Sequence, residues 1–342
     1  MNIPFATDYR RIATEEAWCP HEMLDLYREQ FNTLAEKDAG FRSLWQNYLE
    51  SDGERARFIR SGLINMDEQR LAHMDAAGVD MAILALTSPG VQPFERDLAV
   101  SFARRSNDIL ADCIARHPDR FAGLTAIAPH DPKAAADEIE RGHGIGLRGV
   151  IINSHTQHTY LDDRNFEAAE AKNTPIYLHP NTPSKGMFEP LFARGLDGAI
   201  FGFAVETATH TLRLILSGVF DRFPNLKLVI GHGGEGLPFW LYRLDYMHAA
   251  IIKGNRYETV IPLRRKVSEY LRENVWITTS GQPWAPAIEF CIRVLGEDRV
   301  MYAMDYPYEY VPEEVTLTEE IEVSDEVRKK FFQTNAEAVF SL

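Results

Sequence analysis

Eight short apolar runs recur along the chain, and their spacing limits what it can fold into. They are Arg11–Ala17, Val79–Leu86, Arg120–Ile127, Leu147–Asn153, Thr174–Pro180, Leu226–His232, Val275–Ser280 and Val300–Pro307. Runs that are apolar throughout, without polar alternation, suit strands covered on both faces, as in a parallel sheet. The stretches between them carry helical patterns. Asp97–His117 and Pro132–Gly142 each end on the His-Pro or Gly punctuation expected of a helix C-terminus. Eight strand–helix repeats predict an α/β fold of the (β/α)8 TIM barrel kind. No internal sequence repeat, low-complexity tract or linker interrupts the pattern, so one domain over residues 1–342 is expected.

A chain of 342 residues that is 45% hydrophobic and 25% charged can bury a large core, which excludes global disorder. Its 36 basic and 50 acidic residues leave a net charge of −14, a poor match for nucleic-acid phosphates or anionic membranes. Neither partner is expected. An anionic substrate would need a local cluster of cations. Cys19, Cys113 and Cys291 are scattered and odd in number, so they suggest neither a disulfide framework nor a thiolate zinc site. With no apolar leader-like segment between Met1 and Arg11 and no run of membrane-spanning length, a cytoplasmic location is expected.

Two excursions are long. Residues 18–63 separate the first strand from the second and carry aromatics and charges. Residues 181–203 follow the fifth strand and precede a helix. Loops after strands lie on the catalytic face of such a barrel, so both are candidates for walls or lids.

The polar residues at strand ends carry the chemistry. Glu15 and Glu16 lie near the end of strand 1, His179 at the end of strand 5, His232 at strand 6 and Asp305 at strand 8. Any one alone is more simply a cap or a loop contact. Four at matching positions of a barrel converge over one mouth, where carboxylates and imidazoles form a plausible divalent-metal site. Thr87 and Asn153 end strands 2 and 4 on the same face.

The segments RIATEEA, LALTSPGVQP, INSHTQ, LDGAIFGF, VET, WLYRLDYMH, GEDRVMYAMDYPY and KKFFQTNAE, spread over nearly the whole chain, resemble the aromatic-acid decarboxylase branch of the amidohydrolase superfamily. Hydrolytic members of that superfamily open with His-x-His on strand 1. Here Glu15 and Ala17 stand at those two positions, which removes imidazoles suited to zinc hydrolysis. The resemblance implies a metal set of Glu15, His179 and Asp305. Two carboxylates and one imidazole are a relatively hard donor set, suited to Mn²⁺, with Zn²⁺ or Mg²⁺ as alternatives. No organic cofactor is implied, because a ring protonated at the carbon bearing the carboxylate accepts the electrons released when CO₂ leaves.

The resemblance further implies that Asp305 is both ligand and proton donor and that His232 holds or shuttles protons. Arg55 and Arg243 would bind carboxylate or phenolic oxygens, and Tyr308 and Thr87 would contact substrate. Without it, Arg243 reads equally as a surface ion pair and Arg55 as part of a solvated charged run. His155 and His158 follow strand 4 in a loop. Glu206 and His210, at i and i+4 in a predicted helix, suit a supporting role. The implied reaction is non-oxidative decarboxylation of 5-carboxyvanillate to vanillate and CO₂. Alternatives are γ-resorcylate or 2,3-dihydroxybenzoate as substrate, a metal-dependent hydrolase or hydratase on the same barrel, or a silent binding protein. The implied partners are a small aromatic acid and further copies of the chain in a homo-oligomer.

Some motif matches fail on context. Residues 231–236 (GHGGEG) fit G-x-G-x-x-G and follow a strand, but the next strand comes too late for a dinucleotide fold. His21-Glu22 is not followed by a second His in zinc-protease spacing, and no G-x-S-x-G elbow exists.

Overall fold

The structure is a computed structural model and describes residues 7–163 and 173–342. Residues 1–6, part of the start read for a leader, lie outside it. Eight strands, β1 (Ile12–Trp18), β2 (Met81–Leu86), β3 (Phe121–Ala126), β4 (Gly149–Asn153), β5 (Ile176–His179), β6 (Leu228–Ile230), β7 (Val275–Thr278) and β8 (Val300–Met301), pair in sequence order. Every pairing from β1–β2 to β7–β8 is parallel. The Thr14 N–H donates to the Tyr302 carbonyl at 3.1 Å and the Ala17 N–H to the Tyr306 carbonyl at 2.7 Å, drawing β1 onto the β8 segment. The expected (β/α)8 barrel is the fold. Strands β1 to β4 are buried along their whole length, which is why their sequences run apolar without alternation.

Every strand after β1 is shorter than its apolar run, and this changes where two site residues sit. β8 is only Val300–Met301, so Asp305 lies on the loop beyond it rather than at a strand end. β6 stops at Ile230, and His232 opens a single 3₁₀ turn. Glu15 sits inside β1, where the register slips by one residue between Ala13 and Glu16. Such a bulge re-aims side chains. It lets Glu15 face the barrel mouth while Glu16 reaches the β8 loop.

The excursion after β1 is helical: α1 (His21–Glu29), α2 (Phe31–Lys37), α3 (Ala39–Glu50) and α4 (Glu54–Ile64), before α5 (Glu68–Ala77) returns the chain to β2. The Asp38 carboxylate starts α3 by accepting from the N–H groups of Gly40 at 2.8 Å and Phe41 at 3.3 Å, which otherwise have no intrahelical partner. Tyr27, Phe41 and Trp45 pack edge to face. The Tyr27 hydroxyl donates to the Gly90 carbonyl at 2.6 Å and the Trp45 indole to that of Ser88 at 3.2 Å. These two bonds fix the excursion to the loop after β2, on the face where strands end. The segment after β5 contributes a short helix, Phe188–Phe192, and a loop before the helix Gly202–Leu216. The Ser43 hydroxyl donates to the Asp197 carboxylate at 2.5 Å, joining the two excursions above the barrel. No helix among the described residues is long and apolar enough to cross a membrane.

Candidate active site and metal centre

Glu15, His179 and Asp305 come together at the mouth of the barrel, with one ligand-type atom from each lying within 4.8 Å of the others. Glu15 Oε2 is saturated. It accepts from the Tyr177 and Ser280 hydroxyls and from that of Thr278 at 3.2 Å. Glu15 Oε1 is buried and has no hydrogen-bond donor. His179 faces that oxygen, Nε2 to Oε1, at 3.2 Å. The other nitrogen, Nδ1, lies 2.8 Å from the Pro180 carbonyl, which can only accept, so Nδ1 carries the proton and Nε2 presents a lone pair. An unpaired carboxylate oxygen and an imidazole lone pair pointed at each other call for a cation between them. The residues therefore fit a divalent metal, and the ligand set is hard enough for manganese.

His232 stands beside this group. Its Nδ1 is 2.9 Å from Glu235 Oε1, while Nε2 is 3.8 Å from Glu15 Oε1 and 3.9 Å from Asp305 Oδ2. The last two distances are Coulombic contacts, too long for hydrogen bonds. Burial opposes charge on this ring, but Glu235 and Glu15 outweigh it and raise the His232 pKa well above its usual value. Burial pushes Asp305 up to about 7, with the charge of Glu15 adding to the rise and His232 offsetting part of it. Burial would also raise Glu15, but His232, His179 and the hydroxyls of Ser280 and Tyr177 hold it below its ordinary range. The two carboxyls are thus pushed in opposite directions, Glu15 toward its ionised form and Asp305 toward its neutral one. A bound dication would favour the ionised form of both.

The backbone at these positions is unusual. Ser280, His232 and Asp305 all have positive φ, at 34°, 51° and 65°. Non-glycine residues avoid that region, at a cost of about 1–3 kcal/mol each, and such outliers gather at functional sites.

A cavity of about 480 Å³ opens over this group, a size that takes a single substituted aromatic ring. His179, His232, Asp305, Arg55, Tyr308 and Tyr48 are among the residues lining it. Arg55, in the first turn of α4, donates from Nη2 to the Tyr308 carbonyl at 2.8 Å. The Tyr308 hydroxyl meets the Thr87 hydroxyl at 2.7 Å, so buried Thr87 supports the ring of Tyr308 from the end of β2. Arg243 is not brought to this cavity. In the helix Leu237–Gly254 the inward face is taken by Leu237, Pro238 and Leu241, and Arg243, two positions on from Leu241, is exposed. It lines a separate apolar groove with Trp240, Leu244 and Met247. Its expected contact with substrate has no support from the cavity of its own chain.

Glu206 and His210 are buried in a complete polar network. Glu206 accepts from the Ser154 hydroxyl at 2.9 Å, the Tyr160 hydroxyl at 3.0 Å and the Ser184 N–H at 2.9 Å. His210 Nε2 accepts from the Leu161 N–H at 3.0 Å. His155 is buried against the Thr182 carbonyl, and His158 is near the surface. These residues hold the loops after β4 and β5 to a helix and take no place at the cavity. Asn153 is buried below it.

Tyr177, Thr278, Ser280 and Glu235 were not expected. Tyr177 could have been found, since it lies two residues before His179 and strand neighbours at i and i+2 share a face. Glu235 sits in the glycine-rich run dismissed as a dinucleotide motif, three residues after His232.

A parallel barrel carrying a Glu–His–Asp group at the C-terminal ends of its strands defines a metal-dependent enzyme architecture. The chain belongs to the amidohydrolase family, which it matches over residues 56–342. It is 35% identical over 302 residues to γ-resorcylate decarboxylase of Polaromonas sp., covering 83% of this chain and 90% of that one. It is also similar to the structure of 5-carboxyvanillate decarboxylase from Novosphingobium aromaticivorans complexed with manganese and 4-hydroxy-3-methoxy-5-nitrobenzoic acid. That match has a TM-score of 0.95 and 50% identity, covering 98% of this chain and 97% of that one. The 5-carboxyvanillate decarboxylase of Sphingomonas paucimobilis matches with a TM-score of 0.90 and 40% identity, over 98% and 100% of the two chains.

Proposed function

We propose that this protein is a divalent-metal-dependent, non-oxidative decarboxylase that converts 5-carboxyvanillate to vanillate and CO₂. The observation that carries the reading is the Glu15–His179–Asp305 group facing a ring-sized cavity that contains an arginine. The similarity to manganese-containing 5-carboxyvanillate decarboxylase at 50% identity supports the substrate.

Glu15, His179 and Asp305 would hold a manganese ion, which would supply Lewis acidity toward the substrate's oxygens. The chain supplies the rest. Asp305, which lines the cavity, delivers a proton to the ring carbon that bears the carboxylate, so that carbon becomes tetrahedral and the C–C bond to CO₂ can break. The electron pair of that bond restores the aromatic ring. His232, held by Glu235, keeps a positive charge beside Asp305 and stabilises its carboxylate after the proton has gone. Arg55 binds the second carboxylate, and Tyr308, braced by Thr87, borders the ring. A homo-oligomer in the cytoplasm completes the proposal. Three free cysteines suit a reducing compartment, and the exposed Phe239, Trp240, Tyr242 and Tyr246 of one helix suit self-association.

The test is CO₂ release from 5-carboxyvanillate, γ-resorcylate and 2,3-dihydroxybenzoate by protein stripped of metal and then reloaded with Mn²⁺. Release from 5-carboxyvanillate only after reloading supports the reading. Full activity in protein shown by elemental analysis to lack metal ends it, as does hydrolysis or hydration without CO₂ release.

A further inference from the structure

Arg55 is the sole lysine or arginine among the described residues that line the cavity, so an anion entering remote from the metal group has one fixed charge to meet. That charge is already engaged. Arg55 Nη2 lies 3.7 Å from Glu309 Oε1, and both residues line the cavity mouth. Glu309 is held for this contact from two sides. Its N–H donates to the Asp305 carbonyl at 3.0 Å, which places it one turn beyond the site. Its side-chain stem lies against Gly281, where an added Cβ would stand 2.7 Å from Glu309 Cγ and 2.9 Å from its Cβ. Gly281 has φ +66°, so the backbone there also favours glycine. The stem packs against Gly281 on one side, and the carboxylate beyond it is half exposed. The other mouth carboxylate, Asp197, is occupied by Ser43 at 2.5 Å and does not compete for Arg55.

We infer that Glu309 is a specificity-determining residue: its carboxylate holds the place on Arg55 that a remote substrate carboxylate must take, and its charge sets how far the cavity prefers acids bearing that second carboxylate. The Arg55 and Glu309 side chains are 66% and 43% exposed, so their pair is weak and yields to a two-pronged carboxylate. It yields incompletely, because Glu309 is anchored through its backbone one turn beyond Asp305 and its displaced charge stays within a few ångströms of the incoming one. A like charge at about 5 Å in a water-rich mouth weakens binding about 5- to 10-fold. A ring without the remote carboxylate leaves the pair intact and feels none of this. The inference rests on the decarboxylase reading for the ring that fills the cavity, and its test needs no turnover.

The experiment is calorimetric binding of two unreactive probes to manganese-loaded wild-type protein and Glu309→Gln. One probe is 4-hydroxy-3-methoxy-5-nitrobenzoate. The other is 2-methoxy-6-nitrophenol, the same ring without its carboxylate. Glu309→Gln should bind the benzoate about 5- to 10-fold more tightly and change the phenol less than twofold. Glu309→Ser, a second removal of the charge, should do the same. An unchanged ratio of the two affinities, or an equal gain for both probes, overturns the inference. CO₂ release by wild-type protein, measured alongside, separates the two claims. A shifted ratio without CO₂ release keeps this inference and ends the decarboxylase reading, and CO₂ release with an unshifted ratio does the reverse. Failure of both probes to bind manganese-loaded wild type overturns this inference, and CO₂ release still decides the decarboxylase reading.

Discussion

Glu16 grips the backbone on both sides of Asp305: its Oε1 accepts the Met304 N–H at 3.0 Å and its Oε2 the Tyr306 N–H at 3.0 Å. The bulge in β1 makes this possible, because consecutive glutamates serve different ends, Glu15 at the metal group and Glu16 at the loop that carries Asp305. Glu16→Gln turns one acceptor into a donor that faces an N–H, costing about 1–3 kcal/mol in a buried place. Asp305, between these two bonds, has a positive φ of 65°. Activity should fall roughly 10- to 100-fold while bound metal, measured by elemental analysis, stays above half of wild type. Wild-type kcat in that variant would show that the loop holds itself.

Gly231 makes room for Glu15. A Cβ at that position would stand 2.5 Å from Glu15 Oε2, a distance real side chains do not tolerate. Since Oε2 is also held by Tyr177, Thr278 and Ser280, the carboxylate cannot retreat without breaking buried bonds. Gly231→Ala should therefore weaken manganese affinity at least tenfold, read by competition with a chelator, with the fold kept by circular dichroism. Unchanged affinity would mean that Glu15 is not a ligand.

Arg55→Ala should raise KM for 5-carboxyvanillate far more than it lowers kcat. The lost charge-assisted contact is worth about 2–3 kcal/mol, or roughly 30- to 150-fold. The same change at Arg243, which lies outside the cavity of its own chain, tests the sequence-based expectation directly. A comparable KM increase in Arg243→Ala would require a second copy of the chain to bring Arg243 to the substrate.

Glu314 gives a stability prediction with a definite sign. It is buried, its Oε1 has no hydrogen-bond partner, and burial raises its pKa from 4.5 to about 10, with Glu16 and Asp305 adding to the rise. The folded protein thus keeps a proton that the unfolded chain releases. Its contribution to stability is whole below pH 4.5 and declines as pH rises toward 10. Glu314→Gln removes the ionisation and keeps the shape. It should leave unfolding free energy nearly unchanged at pH 4.5 and raise it by on the order of 2 kcal/mol or more at pH 8. Equal stability differences at both pH values, measured by urea unfolding, would remove Glu314 from the pH dependence.

The barrel was legible because eight strands covered on both faces leave eight short, largely apolar runs with helical patterns between them. Polar residues toward the ends of such runs share one face, which made Glu15, Glu16, His179, His232 and Asp305 candidates; the resemblance to the decarboxylases singled out Glu15, His179 and Asp305. What stayed hidden is set by loops and by side-chain direction. The two-residue length of β8 cannot be read from Val300–Pro307, since its later residues are apolar for burial in a loop. Arg243 looked equivalent to Arg55 as a cation near the site, and only the helix phase set by Leu237 and Leu241 separates them. The Arg55–Glu309 pair joins residues 254 positions apart, a separation without a local sequence signal.

Asp305 carries the prediction that tests the mechanism. If it protonates the ring carbon, vanillate made in D₂O should carry one deuterium at the position vacated by CO₂. Each step can run backwards, so the enzyme should also exchange that hydrogen slowly in free vanillate. Burial pushes Asp305 up toward its neutral form, and a bound dication pulls it back toward the ionised one. Asp305→Asn keeps the size and one coordinating oxygen but has no acidic proton. Decarboxylation and exchange should fall together, by more than the roughly 10²- to 10⁴-fold typical of general acid–base catalysis, because a ligand charge is lost as well. Metal content has to be matched, by loading to saturation and measuring it, so that loss of the ion is not mistaken for loss of the proton. A metal-loaded Asp305→Asn protein that exchanges the ring hydrogen at the wild-type rate would transfer the role to another group. His232 would be the first candidate, since its Nε2 stands 3.9 Å from Asp305 Oδ2 and its pKa is raised by Glu235 and Glu15 against the pull of burial.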